Sequence, residues 1–101
     1  MKQVDINVAS ALMQRTPFAQ GNTTIEPRYG LDYFWQMTLC GNLIAVLAPD
    51  ETLYFTMAGW DSPVTRRRLN ALNIHVHQKD GQQMVGDQHI GVTGWYRRVV
   101  D

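Results

Sequence analysis

Three histidines and one cysteine are the residues of this chain best suited to metal chemistry. His75 and His77 are separated by one residue, so on a strand they would project from one face and could share an ion. Two ligands are too few for a stable site, and His89 or Cys40 would have to complete it. An exposed strand face explains polar residues at these positions better. We therefore predict no metal and no cofactor.

The same residues give little support to catalysis. Cys40 would need an electropositive pocket and a base to become a nucleophile, and neither is visible in the sequence. Most acidic residues lie in turn-like segments, where turn preference explains them better than acid–base chemistry does. The glycines form no phosphate-binding pattern. We predict that the protein is not an enzyme.

The strongest local signal is a helix start. Ser62 precedes Pro63, which is typical of an N-cap followed by the proline that the first helical position tolerates. This predicts a helix from Pro63 to about Leu72. Its core-facing residues would be Val64, Leu69 and Leu72.

Three consecutive arginines dominate the polar part of this helix. They are spread around it at roughly 100° per residue, so at least two should meet solvent or a partner. A tryptophan precedes the helix, and a pair of arginines lies near the last residues of the sequence. Both residue types are common in binding hot spots. A solvated helix face would show the same charges. The candidate partner-binding residues are Arg66, Arg67, Arg68, Trp60, Arg97 and Arg98.

Bulk composition limits the class of protein. The chain has 101 residues, which predicts a single domain over 1–101. Nine basic and nine acidic residues give a net charge of zero, which argues against coating nucleic acid by bulk charge but allows a local basic patch. The single cysteine excludes an internal disulfide. With no apolar run long enough for a membrane span and no signal peptide, we expect a cytoplasmic protein.

The middle of the chain predicts a three-stranded meander. Residues 33–39 alternate strongly, and residues 40–42 favour a tight turn. Residues 43–48 are apolar on both faces, which predicts a central strand covered on both sides. Residues 52–58 alternate again, with Leu53, Phe55 and Met57 predicted to face inward.

The beginning of the chain is ambiguous. Residues 2–8 alternate as a strand does, but they also lead into a helix over about 8–15. Residues 18–21 are typical of a connection, and residues 22–26 of a short strand.

After the arginine helix, residues 74–77 and 82–85 predict a second hairpin around a turn at 79–81. Residues 95–100 form either a last strand or a loosely held end. Together these segments predict an α+β fold, with a single antiparallel sheet of about five strands and one or two short helices packed on it.

Several short segments occur along the chain in a recognisable order and spacing: Gly21-Asn22-Thr23-Thr24-Ile25, Leu39-Cys40-Gly41-Asn42-Leu43-Ile44-Ala45, Gly59-Trp60, Thr65, Arg68-Leu69-Asn70-Ala71-Leu72 and His77-Gln78-Lys79. Together they resemble a family of small tailed-bacteriophage proteins of unassigned function. The resemblance covers roughly residues 21–85, although a histidine is expected where Cys40 stands and a Thr-rich segment where Ser62-Pro63 stands. The family has no established active residues to carry over.

The resemblance implies a role inside the infected cell. Small phage accessory proteins commonly bind and disable a host component, so it implies a non-enzymatic protein that binds a host protein or ribonucleoprotein, such as a defence-system inhibitor of the anti-CRISPR kind. The alternative is direct nucleic-acid binding by the Arg66–Arg68 helix with Arg97 and Arg98. A hydrolase or metal enzyme built on the three histidines is the least supported hypothesis. The oligomeric state stays open, and a homodimer is compatible with the sequence.

Overall fold

The computed structural model describes residues 1–28, 30, 33–60 and 62–98. These residues form two helices and nine strands. In chain order they are α1 (Gln3–Met13), β1 (Phe18–Gln20), β2 (Thr23–Pro27), β3 (Trp35–Leu39), β4 (Asn42–Leu47), β5 (Leu53–Phe55), α2 (Pro63–Asn70), β6 (Val76–Lys79), β7 (Gln82–Val85), β8 (Gln88–His89) and β9 (Tyr96–Arg97).

The strands form two antiparallel sheets. The main sheet has six strands in the order β1-β2-β3-β4-β5-β9, and the small sheet has the order β6-β7-β8. The predicted α+β class is confirmed, but the prediction of a single sheet of about five strands is wrong. The reason is that β9 occupies the edge of β5, so the second hairpin pairs with β8 instead.

The predicted meander is confirmed as β3, β4 and β5, with β4 between the other two strands. Cys40 and Gly41 both have positive φ, at 51° and 81°, as a tight hairpin turn requires. The β3–β4 register shifts after Met37, which pairs with Ala45. Because of this shift, Ile44 of β4 has no partner in β3, and Ile44 and its neighbour Ala45 are both buried.

The central strand β4 is less covered than predicted. Both helices contact the main sheet, and the hydrophobic core includes Ile44, Ala45 and Leu47 of β4. Leu43 and Val46 are only half-buried, because no element among the described residues packs over them. The prediction of cover on both sides of this strand is therefore wrong.

Helix α1 begins earlier than predicted. It takes in the residues whose alternation also fitted a strand, because the backbone N–H of Lys2 donates to the Asp5 carboxylate at 2.8 Å and caps the first turn. The helix buries Val8 and Leu12 completely. The segment after it, predicted as a connection, forms the edge strand β1, in which Phe18 pairs with Ile25.

Helix α2 confirms the prediction for its start. The Ser62 hydroxyl accepts hydrogen bonds from the backbone N–H groups of Val64 at 3.2 Å and Thr65 at 3.5 Å. Leu69 and Leu72 are buried in the core, as predicted, and Val64 is half-buried against it. Leu72 lies just beyond the helix, which ends at Asn70.

The hairpin after α2 is also confirmed, as β6 and β7. Val76 pairs with Val85, and the side-chain amide of Asn70 bonds both backbone groups of Val76, which ties the end of α2 to β6. The alternative of a last strand is confirmed for β9, although Val99 and Val100 lie outside the described residues. Within the described ranges, neither helix is long and apolar enough to cross a membrane.

Candidate functional site

Arg68 lies inside the protein. Its exposed fraction is 4%, and its guanidinium forms an ion pair through Nη1 with the fully buried carboxylate of Asp5. Nε donates to the Thr23 hydroxyl at 2.9 Å, and Nη2 donates to the Asn22 side-chain oxygen at 3.3 Å. Arg68 therefore ties α2 to α1 and β2. Its burial and these bonds argue against the prediction that Arg68 binds a partner.

Arg66 and Arg67 are only half-buried, but both have neighbours in the fold. Nε of Arg67 is 3.7 Å from the second carboxylate oxygen of Asp5, and the side chain is 34% exposed. Nη1 of Arg66 donates to Gln83 in β7 at 3.2 Å. The sequence analysis missed Asp5 as the counterion of this helix because it is 63 residues away from Arg68 in the chain.

Trp60 stands beside a small apolar pocket at the start of α2. Its side chain is 61% exposed, and the pocket has a volume of about 120 Å³. The N-cap residue Ser62, Thr65 in the first turn of α2 and the exposed Cys40 also contribute to the wall. We call this region the Trp60 pocket, and its apolar lining consists of Leu39, Ile44, Met57, Ala58 and Trp60.

A shallow groove lies on the uncovered part of the main sheet. It has a volume of about 430 Å³ and is lined by Arg28, Leu43, Val46, Tyr54 and Trp95. The sequence analysis named neither Arg28 nor Tyr54, although Tyr54 could have been found. It lies between the inward-facing residues of β5, so alternation alone places its side chain on the opposite face.

Arg97 is exposed at the edge strand β9, where it pairs with Tyr54 of β5. The backbone N–H and the hydroxyl of Thr52 bond the carboxylate of Asp50 and lower its pKa below the ordinary value of 3.8, and the charge of Arg97 lowers it further. Arg97 therefore helps to lower the pKa of a carboxyl group in the turn between β4 and β5.

Arg98 is half-buried and lines a cleft between the two sheets. Its Nη1 donates to the backbone carbonyl of Leu72 at 2.9 Å. Its Nε is buried and has no hydrogen-bond partner within the described part of the chain. The cleft has a volume of about 490 Å³, and we call it the inter-sheet cleft. Its lining includes Phe55, Asn73, His75, Gln88, Tyr96 and Arg98.

His75 does not share a strand face with His77, whereas His77 and His89 both pair with Met84 and lie on the same face of the small sheet. His75 precedes β6 and has a φ of 63°, so the alternation that would align it with His77 does not apply. His77 and His89 flank Met84 from the two outer strands of the small sheet. Among residues 1–28, 30, 33–60 and 62–98, no three or more His, Cys, Asp or Glu side chains are grouped so that they could hold a metal ion.

These observations define a small α+β protein with hollows on both sides of its main sheet and most of its helical arginines engaged within the fold. The family model described as Kyanoviridae Gp96 protein matches residues 1–99, so the chain belongs to this family of tailed-phage proteins. The resemblance inferred from residues 21–85 is thus confirmed, and the family match extends beyond that span. No curated protein and no solved structure matches the chain.

Proposed function

We propose that this phage protein acts without catalysis, by binding a host protein or ribonucleoprotein through the surface around Trp60. The observation that carries the proposal is that a tryptophan 61% exposed stands beside an apolar pocket. Large aromatic side chains are costly to leave in water, and together with arginine they dominate the energetics of protein interfaces.

The surroundings of Trp60 have the composition of an interface centre with a polar rim. The pocket wall is mainly apolar, and a side chain of the partner could fill its volume of about 120 Å³. Arg66 and Arg67 follow on the helix whose first turn contributes Ser62 and Thr65 to the wall. Both arginines can therefore contribute to the rim without leaving their neighbours in the fold.

The family supports the kind of partner. The chain belongs to a tailed-phage family, and small phage accessory proteins commonly bind a host component inside the infected cell. The partners proposed here are host defence complexes, nucleases and polymerase. A defence-system inhibitor of the anti-CRISPR kind is one form of this proposal. A homodimer formed through the Trp60 pocket is the competing use of the same surface.

The test is capture from host lysate with the tagged protein, with and without nuclease, followed by a direct binding assay with the purified partner. Trp60→Ala should weaken that binding by about thirtyfold or more, as expected for a hot-spot residue. Tyr33→Ala is the matched control, because Tyr33 is also an exposed aromatic residue but does not line the pocket. Unchanged binding by Trp60→Ala, or a concentration-dependent dimer that Trp60→Ala abolishes, would contradict the proposal.

The alternative of nucleic-acid binding by the Arg66–Arg68 helix gains no support from the geometry. Arg68 is paired with Asp5 inside the protein, so only Arg66 and Arg67 of the three helical arginines can approach phosphates. Of the other pair, Arg97 is exposed and Arg98 is half-buried. Two phosphate contacts would give a log–log salt slope of only about −2 on duplex DNA. A much steeper slope would revive this alternative and would require other arginines to take part.

A further inference from the structure

The proposed function does not involve the inter-sheet cleft, although its volume and its partly basic lining are those of a ligand site. Its volume of about 490 Å³ falls within the range of small-molecule pockets, roughly 300–1,000 Å³. It shares no lining residue with the Trp60 pocket. Ligand sites are commonly found where two structural units meet, as the two sheets do here.

The lining is apolar on one part and basic on another. Phe55 and Tyr96, whose ring centroids are 5.9 Å apart, and Ile74 supply apolar surface. Arg97 and Arg98 are the basic residues in the lining. The described residues that line the cleft include no acidic one. A ligand carrying negative charge would therefore meet favourable electrostatics.

The hydrogen bonding of Arg98 identifies where that charge would sit. Nη1 is held by the carbonyl oxygen of Leu72 at 2.9 Å, which fixes the orientation of the guanidinium plane. The opposite edge of the plane is formed by Nε and Nη2, and Nε is buried without a partner among the described residues. Nε is too buried for a ligand atom to reach, whereas Nη2 has no bond to another described residue and can donate to a carboxylate or phosphate in the cleft.

Further polar groups line the same cleft. His75 and Asn73 lie on the segment between α2 and β6, and Gln88 lies on β8. Asn73 and His75 both have positive φ, at 61° and 63°, a conformation that non-glycine residues seldom adopt. The segment therefore holds two hydrogen-bonding side chains in the lining at a local conformational cost.

We propose that the inter-sheet cleft binds a small organic anion, with its carboxylate or phosphate at Nη2 of the Arg98 guanidinium and its apolar body against the Phe55 and Tyr96 side of the cleft. Asn73, His75 and Gln88 would contact the polar groups of the ligand. This site is independent of the Trp60 surface, so either proposal can fail without the other.

The test uses three aromatic probes that differ in their polar group: phenyl phosphate, benzoate and the neutral benzyl alcohol. Calorimetry measures their affinities, and NMR follows the Arg98 Nε–H signal of the unmodified protein. We expect at least one of the two anions to bind saturably and shift this signal, and the anion with higher affinity identifies the phosphate or carboxylate class. No saturable binding of either anion, equal binding of benzyl alcohol, or an unmoved Nε–H signal would overturn the proposal.

Variants sharpen the test. Arg98→Gln should weaken anion binding by about tenfold to a hundredfold, which is the effect of losing hydrogen bonds to a charged group. Arg98→Lys keeps the charge but loses the planar guanidinium and the position of Nη2, so it should recover only part of the affinity. Arg28→Gln is the matched control, because Arg28 lies outside the cleft and bonds Gln36. Anion binding that Arg98→Gln leaves unchanged, or that Arg28→Gln weakens as strongly, would overturn the assignment to Arg98.

Removal of Arg98 could disturb the fold, because this residue also bonds Leu72. His75→Gln provides an independent variant, since His75 is exposed and has no side-chain bond to lose within the described residues. It should leave thermal stability unchanged while weakening anion binding by a few fold. An unaffected affinity in this variant would remove His75 from the site and contradict the contacts proposed for it.

Discussion

Arg68 is buried and Arg98 is half-buried, but their guanidinium groups have different bonding partners. At the α1–α2 junction, every nitrogen of the Arg68 guanidinium reaches an oxygen atom, and one of its partners is the buried carboxylate of Asp5. In the inter-sheet cleft, Arg98 has one bond to a carbonyl and a buried Nε without a partner in the described residues.

The difference teaches how to distinguish a structural arginine from one that is available to a ligand. Bringing a cation into a protein is expensive unless a counterion and hydrogen bonds compensate it. Asp5 provides that compensation for Arg68, whereas the described lining around Arg98 provides no carboxylate. The Nε of Arg67 at the first site and the Nε of Arg98 are both buried without a hydrogen bond in the described residues. The Nε of Arg67 has the Asp5 carboxylate 3.7 Å away, whereas the described cleft lining around Arg98 includes no acidic residue.

The largest expected effect comes from breaking the Asp5–Arg68 pair. Asp5→Asn keeps the size of the side chain but leaves the Arg68 cation buried without its counterion, so the free energy of unfolding should fall by about 3–5 kcal/mol. Urea denaturation at neutral pH measures it. The double variant Asp5→Leu, Arg68→Met removes both charges and should recover much of this loss. A loss below about 1 kcal/mol in Asp5→Asn would show that the pair is not isolated from water.

Removal of Arg98 should lower the free energy of unfolding much less than breaking the Asp5–Arg68 pair. Arg98→Met gives up the bond to the Leu72 carbonyl, which is worth about 0.5–1.5 kcal/mol, but it also removes the unsatisfied Nε. The free energy of unfolding should therefore change by no more than about 1.5 kcal/mol. The same denaturation assay applies. A loss as large as that of Asp5→Asn would make Arg98 a structural residue and would end the contrast between the two sites.

Arg66 and Arg67 test the half-buried side of α2, where Arg66 bonds Gln83 of β7 and Arg67 lies near Asp5 of α1. The ion pair of Arg67 with Asp5 is long and partly exposed, and such pairs contribute roughly 0–1 kcal/mol. The double replacement with Ala should lower the melting temperature by less than about 8 °C. It should weaken binding of the partner by at least about tenfold if these arginines form the rim of the Trp60 surface. Parental affinity would restrict the interface to Trp60 and its pocket.

Replacement of Asp50 should have the smallest effect on stability, and this effect should depend on pH. Its pKa is lowered in the folded state, so its contribution to stability is complete above the ordinary pKa of 3.8 and is lost as the pH falls through the lower folded value. Unfolding of the parent and of Asp50→Ala, followed from pH 6 to pH 2, should therefore differ slightly at the upper end of this range and converge at the lower end. A difference that grows on acidification would reverse the sign of this argument.

Local rules were sufficient for much of the fold. Alternation placed Leu53, Phe55 and Met57 inward, and all three are buried. The Ser62-Pro63 pair placed the start of α2, because an N-cap depends on only the next few residues. The second hairpin was also found, but not its place in a separate sheet, since the neighbour of a hairpin is chosen by distant parts of the chain.

The sites were less predictable for the same reason. The sequence analysis noted that Arg68 is next to a core leucine, but nothing local indicated that Asp5, 63 residues earlier, would meet it. The half-covered state of β4 depends on which face the helices occupy. Trp60 was named from its residue type and its place before α2, and its role in binding stays a prediction. The inter-sheet cleft arises from a second sheet that was not predicted.

The pairing of β9 with β5 also determines when the main sheet can be completed during synthesis. Strands β1 to β5 leave the ribosome first, and the outer edge of β5 stays open until α2 and the whole small sheet have been made. An open edge offers unpaired backbone groups to any other extended chain. Pairing of Tyr96 and Arg97 with β5 therefore covers, last in chain order, an edge that could otherwise pair with another extended chain.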